Sequence, residues 1–166
     1  MVSAIVCVDS NWGIGSNGDL LIRIPEDMKH FKKLTTGNVV VMGRKTWESL
    51  PNKPLPNRLN LIVTSKERTV DFMTAYINIE EALVRARMAS KDPEDEWFVI
   101  GGGQLYKELL PICNKVYVTK VNHAYQNVDT YFPNIDNIPE WEMESASEIK
   151  EYNDVEYQFY TYRKKV

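Results

Sequence analysis

Five short apolar runs set the first limit on what this chain can fold into: Val2–Val8, Val39–Met42, Leu59–Val63, Trp97–Ile100 and Val116–Val121. Each is short, rich in Val and Ile and bounded by turn residues, the pattern of a strand buried on both faces. Between them, Glu26–Leu34, Arg44–Leu50, Ile79–Ala89 and Gly102–Leu110 read as helices. Strand and helix in alternation predict one α/β domain over residues 1–166, with a twisted, mostly parallel central sheet flanked by about four helices. The tail "DVEYQFYTYRKK" alternates apolar with polar residues, which suits an antiparallel C-terminal edge strand. "ASKDPEDE" reads as an acidic surface loop and "PNKPLPNR" as a stiff one.

One residue breaks the helical pattern. In "LIRIPEDMKHFKK", Ile24, Met28, Phe31 and Leu34 form an apolar stripe, and Asp27 falls one turn after Ile24 and one turn before Phe31. Two readings are open. Pro25 suits a first helical position, so Asp27 lies in the first turn, where the helix dipole favours a negative charge. Alternatively, a half-buried carboxylate with a raised pKa holds paired N–H donors of a ligand.

Charge and composition narrow the function classes. A net charge of −3 and a pI near 5.5 supply no basic field for nucleic acid or anionic lipid. Cys7 and Cys113 form no C-x-x-C pair, and Cys7 in its apolar run reads as a free, buried thiol of a reducing compartment. His30 and His123 have no companion at metal-ligand spacing. The N-terminus lacks a signal-peptide pattern and no stretch is apolar enough to span a membrane, which predicts a cytoplasmic protein.

Three strand ends offer phosphate chemistry. "WFVIGGGQLYKELL" runs a buried strand into Gly101, Gly102 and Gly103 and then into a helix, where the backbone can approach a ligand and free N–H groups await an anion. It is not the Rossmann fingerprint, because Tyr106 stands where the third glycine belongs. "VVVMGRKTWESL" repeats strand, glycine and helix start, with Arg44 and Lys45 after Gly43. Basic residues there favour a phosphate, and so NADP over NAD. The strand Leu59–Val63 ends in Thr64, Ser65 and Lys66. Such ends lie together at the carboxyl edge of the sheet, where α/β folds bind ligands. No nucleophile elbow, Walker lysine or Cys–His pair accompanies them, as befits chemistry carried by a cofactor.

The motifs "GIGSNGDLL", "IPEDMKHFK", "VVVMGRKTWESLPNKPLPNR", "VIGGGQLYKELLP" and "VYVTKVNHAYQNVDTYFP" resemble, in order and spacing along the whole chain, those of the dihydrofolate reductases. The resemblance implies reduction of 7,8-dihydrofolate to tetrahydrofolate, with hydride passing from C4 of the nicotinamide of NADPH to pterin C6 and a proton reaching N5. It implies Asp27 as the acid that binds the pterin ring N–H and 2-amino group, and Thr119 as its hydrogen-bond partner. It places Leu20 and Ile22 at the catalytic centre too. Ile5, Cys7, Met28, Phe31, Leu50, Leu55 and Ile100 form the apolar pocket, and Arg58 grips the glutamate α-carboxylate. On the cofactor side it implies Cys7, Ile14, Gly15, Gly43, Arg44, Lys45, Thr46, Thr64, Ser65 and Lys66. Gly101, Gly102, Gly103, Gln104, Leu105 and Tyr106 complete that set, with a cis peptide between Gly101 and Gly102. It further implies antifolate inhibitors as ligands, a monomer, and a mobile glycine-rich loop over the nicotinamide.

One departure stands out. The family commonly has Pro-Trp after that loop, and this chain has Leu21-Ile22. Ile22 carries no side-chain N–H, so a water held by the tryptophan near the pterin loses that partner. Trp12, earlier in the loop, is the candidate to compensate for bulk. Competing readings are the pyrimidine reductase of riboflavin biosynthesis and a folate- or NADPH-binding protein without turnover.

Overall fold

The computed structural model describes residues 1–65 and 74–166, and at position 76 the backbone alone. In chain order the elements are β1 (Val2–Val8), β2 (Gly13–Ser16), β3 (Asp19–Leu20), α1 (Pro25–Thr35), β4 (Val39–Gly43), α2 (Arg44–Ser49), β5 (Leu59–Val63) and β6 (Thr74–Ile77). There follow α3 (Ile79–Ala89), β7 (Trp97–Val99), α4 (Gly103–Leu109), β8 (Lys115–Val121), β9 (Thr130–Tyr131), β10 (Trp141–Ala146), β11 (Lys150–Tyr152) and β12 (Val155–Lys164).

The main sheet runs β10-β12-β8-β1-β7-β4-β5-β6. Its pairs from β8 through β6 are parallel, and β12 joins β8 antiparallel, so the sheet is mixed and mostly parallel. All five apolar runs are strands within it, and the alternating tail is the long antiparallel strand β12, next to one end. Outside β12 lie β10 and β11, which pair its far side. Both are short and polar ("WEMESA", "KEY"), so no apolar run announces them. A second small sheet, β3-β2-β9, pairs two strands of the glycine-rich loop with β9.

Side chains of a strand alternate between two faces, and this sheet is covered on both. On one face Val6, Val41, Leu61, Val99 and Val118 pack with Ala82 and Ala86 of α3 and Leu105 and Leu109 of α4. On the other, Ile5, Val40, Met42, Ile62 and Phe98 meet Phe31 and Leu34 of α1 and Trp47 of α2. Ile24, Val121 and Tyr157 extend that second layer beside Cys7 and Ile22. The helix α1 starts with Pro25 in its first turn, where a missing N–H costs nothing, and it carries Glu26 and Asp27 beside the positive end of its dipole. No helix among the described residues is long and apolar enough to cross a membrane.

Candidate active site

Asp27 projects from the first turn of α1 onto the layer formed with β1 and β8. The Thr119 hydroxyl donates to its Oδ1 at 2.5 Å. Thr119 is buried and pairs in register with Cys7 on the neighbouring strand, so both stand on the floor beneath the carboxylate. Burial pushes the Asp27 carboxyl above its ordinary range, and the Thr119 and Cys7 contacts pull it partway back. Asp27 is therefore both a first-turn acid and a desolvated one aimed at the sheet.

Around it the expected apolar wall assembles in two adjoining groups. Phe31, Leu50, Leu55 and Ile100 pack against the cluster that contains Ile5. Cys7 and Ile22 belong to the group around Ile24 and Val121. Cys7, Ile14, Leu20 and Ile22 also line one narrow cleft with Asp9, Gly13 and Tyr125. Met28, on the same stripe of α1 as Ile24 and Phe31, lies outside both groups and is 42% exposed. Cys7 is free but only half-buried, unlike the buried thiol its apolar run suggests, because it opens on the cleft; Cys113 is free and buried.

Trp12 corrects another expectation. It is a core residue on the opposite face of the sheet, stacked on Phe132 and edge-on to Tyr162 at centroid distances of 6.2 Å, with the Lys120 ammonium 4.8 Å from its ring. It does not stand in for the tryptophan absent at Ile22. The indole instead anchors the base of the glycine-rich loop.

Arg58 is not the solvated loop residue its neighbours suggest. It is 4% exposed, donates from Nε to the Pro56 carbonyl and from Nη1 to Thr35 Oγ1, both at 2.9 Å, and lies 5.9 Å from the Phe31 ring centre. Among the described residues no carboxylate pairs with it. A buried guanidinium without a counter-charge is costly and calls for an anion. Phe31, one helical turn after Asp27, separates the two charges along an apolar strip. Three residues that sequence reasoning missed hold this arrangement. Thr35 back-bonds to the Phe31 carbonyl and receives Arg58. Asn60 clamps the Leu55 backbone with two bonds of 3.0 Å and reaches the Arg58 carbonyl. Asp9 accepts the N–H groups of Asn11, Gly13 and Tyr125, fixing the loop onto the chain after β8.

The three expected phosphate-binding strand ends come together. In register, Gly43 stands beside Val63, so Arg44 and Thr64 emerge side by side, and β7 brings Gly101 to the other flank of β4. The Gly43 N–H donates to the Gly101 carbonyl at 2.8 Å, and the Gly101–Gly102 peptide is cis. Gly101 has φ +126°, and a Cβ there would lie 3.3 Å from the Thr46 hydroxyl, so glycine serves both backbone and space. Neither α2 nor α4 has a side-chain cap, which leaves the backbone N–H groups at both starts, around Arg44–Thr46 and Gly102–Gln104, without a side-chain acceptor. Arg44 pairs with Glu48 at 2.8 Å on the surface, and Lys45 and Ser65 are exposed. Leu105 and Tyr106 turn into the core, where the Tyr106 hydroxyl donates to the Ile5 carbonyl, so only their backbone faces that edge. Gln104 donates to Glu108. Gly15 sits in β2 against Thr130 of β9. Lys66 lies outside the described residues.

This donor set fits a dinucleotide diphosphate on one side of the sheet edge, and the acid–arginine strip fits a ligand with N–H donors at one end and a carboxylate at the other. The family model for dihydrofolate reductase matches residues 1–164. A dihydrofolate reductase of Bacillus subtilis (strain 168) is 38% identical over 99% of this chain and 95% of its own length. One of Mycobacterium tuberculosis (strain H37Rv) is 34% identical over 99% and 98%, and one of Staphylococcus haemolyticus 33% identical over 98% and 95%. The chain belongs to the dihydrofolate reductase family.

Proposed function

We propose that this protein reduces 7,8-dihydrofolate to tetrahydrofolate with NADPH, as a cytoplasmic monomer. The observation that carries the reading is the strip that begins at the Asp27–Thr119 pair, crosses Phe31 and ends at buried, uncompensated Arg58. A pterin with its ring N–H and 2-amino group on the two Asp27 oxygens would lie along Ile5, Phe31, Leu50, Leu55 and Ile100. Its glutamate α-carboxylate would meet the Arg58 fork. The pyrimidine reductase alternative gives Arg58 no comparable partner.

Gly43–Thr46, Thr64, Ser65 and the starts of α2 and α4 would hold the cofactor's phosphates, with Ile14 and Gly15 over its nicotinamide end. The bound cofactor supplies the hydride. The protein's share is placement of two ring systems and exclusion of water by the apolar wall. Asp27 fixes the pterin's orientation and raises proton affinity at N5 by its charge. The proton itself comes from water, because Asp27 holds the other edge of the ring. Ile22 offers that water no hydrogen bond.

The test is loss of NADPH absorbance on adding dihydrofolate, repeated with NADH. Dihydrofolate-dependent oxidation that favours NADPH supports the reading. Tight binding of both ligands without turnover would make the chain a binder, with Ile22 the first suspect.

A further inference from the structure

The floor beneath Asp27 carries two side chains able to donate. Cys7 and Thr119 are register partners in the parallel pair of β1 and β8, so their side chains stand next to each other on one face. Thr119 reaches Asp27 Oδ1, and Cys7, its neighbour across the ladder, lines the cleft beside Leu20 and Ile22. For packing alone an alanine or valine would serve; the thiol adds a proton.

We propose that Cys7 is a positioning residue, whose S–H donates a second hydrogen bond to the Asp27 carboxylate and, with Thr119, sets the proton affinity of the group that holds the pterin. The proposal rests on Asp27 as the pterin-binding acid. Burial, followed by the nearby Asp27 charge, pushes the Cys7 thiol well above its ordinary pKa, so the sulfur keeps its proton through the neutral range and remains a donor. A donor to the ionised carboxylate favours that form and opposes the effect of burial. Thiols are weak donors, so the contribution is smaller than that of a hydroxyl.

The experiment compares the full chain with Cys7→Ala and Cys7→Ser by two readouts. One is the titration of the Asp27 carboxyl carbon by NMR without ligand. The other is the pH profile of kcat/KM for dihydrofolate. Removing the donor in Cys7→Ala should raise the Asp27 midpoint by about half a pH unit, the scale of one weak hydrogen bond. Cys7→Ser, with a stronger donor of similar size, should restore the midpoint or take it lower, and the pH profile should move with it. Coincident Asp27 midpoints in all three proteins would overturn the proposal. Midpoints that move by NMR while the profile stays fixed would leave the hydrogen bond standing and overturn Asp27 as the acid felt in turnover.

Discussion

At the scale of single residues, the site is a set of polar groups placed where they cost stability. Asp27 is an acid whose pKa is raised by burial, so the folded state binds its proton more tightly than the unfolded chain does. Stability that is present at low pH is then lost as pH rises from the ordinary carboxylate value through the raised one. Asp27→Asn removes that loss, and we expect it to melt higher than wild type at pH 7, by about 2–4 °C. The two should converge near pH 3, as thermal unfolding across pH would show. Arg58 makes the complementary case. Arg58→Lys loses the planar fork, and KM for dihydrofolate should rise about tenfold or more with kcat little changed. A pterin without the glutamate tail should be reduced equally by both proteins. Asp27 was legible in the sequence because it breaks an apolar stripe. The burial of Arg58 was not, because it depends on Thr35, 23 residues away, and on the Asn60 clamp.

At the scale of elements, the ladders decide what meets. The Cys7–Thr119 pairing joins residues whose separation in sequence hides it until β1 and β8 are in register. The strand ends after β4, β5 and β7 were readable individually, since each joins an apolar run to glycine or hydroxyl residues. Their alignment follows from parallel neighbours in the sheet. The glycine-rich loop behaves differently. It forms its own small sheet, pinned by Asp9, by Trp12 in the core, and by Asp129, which accepts the Asn17 N–H at 2.8 Å. No periodicity in "DSNWGIGSNGDLL" announces those anchors, and Trp12 is drawn into the core by Phe132 and Tyr162, both far along the chain. Asp9→Ala strands three backbone N–H groups, two of them bound by one oxygen, and should cost about 2–3 kcal/mol in denaturant unfolding. By contrast, Asn78 caps α3 on the face of the sheet away from Asp27. Asn78→Ala should cost about 1 kcal/mol and leave kcat/KM unchanged.

At the scale of the whole molecule, one sheet separates two tasks. The face packed by α3 and α4 is continuous core, and the face under α1 and α2 carries the Asp27–Thr119 pair beside two smaller apolar groups. Alternation of buried strands and helices was enough to foresee this layering. The short strands β6, β10 and β11 escaped it because three to six residues with little apolar patterning carry too weak a signal. On the proposed function, Asp27, desolvated on the sheet face, orients the pterin and raises its proton affinity. The most direct test is the pH dependence of dihydrofolate reduction by wild type and Asp27→Asn. A deficit of about a hundredfold or more near pH 7 is expected in the variant, shrinking toward acid pH, where solvent protonates the substrate without help. Equal rates for the two proteins at pH 7 would contradict that role.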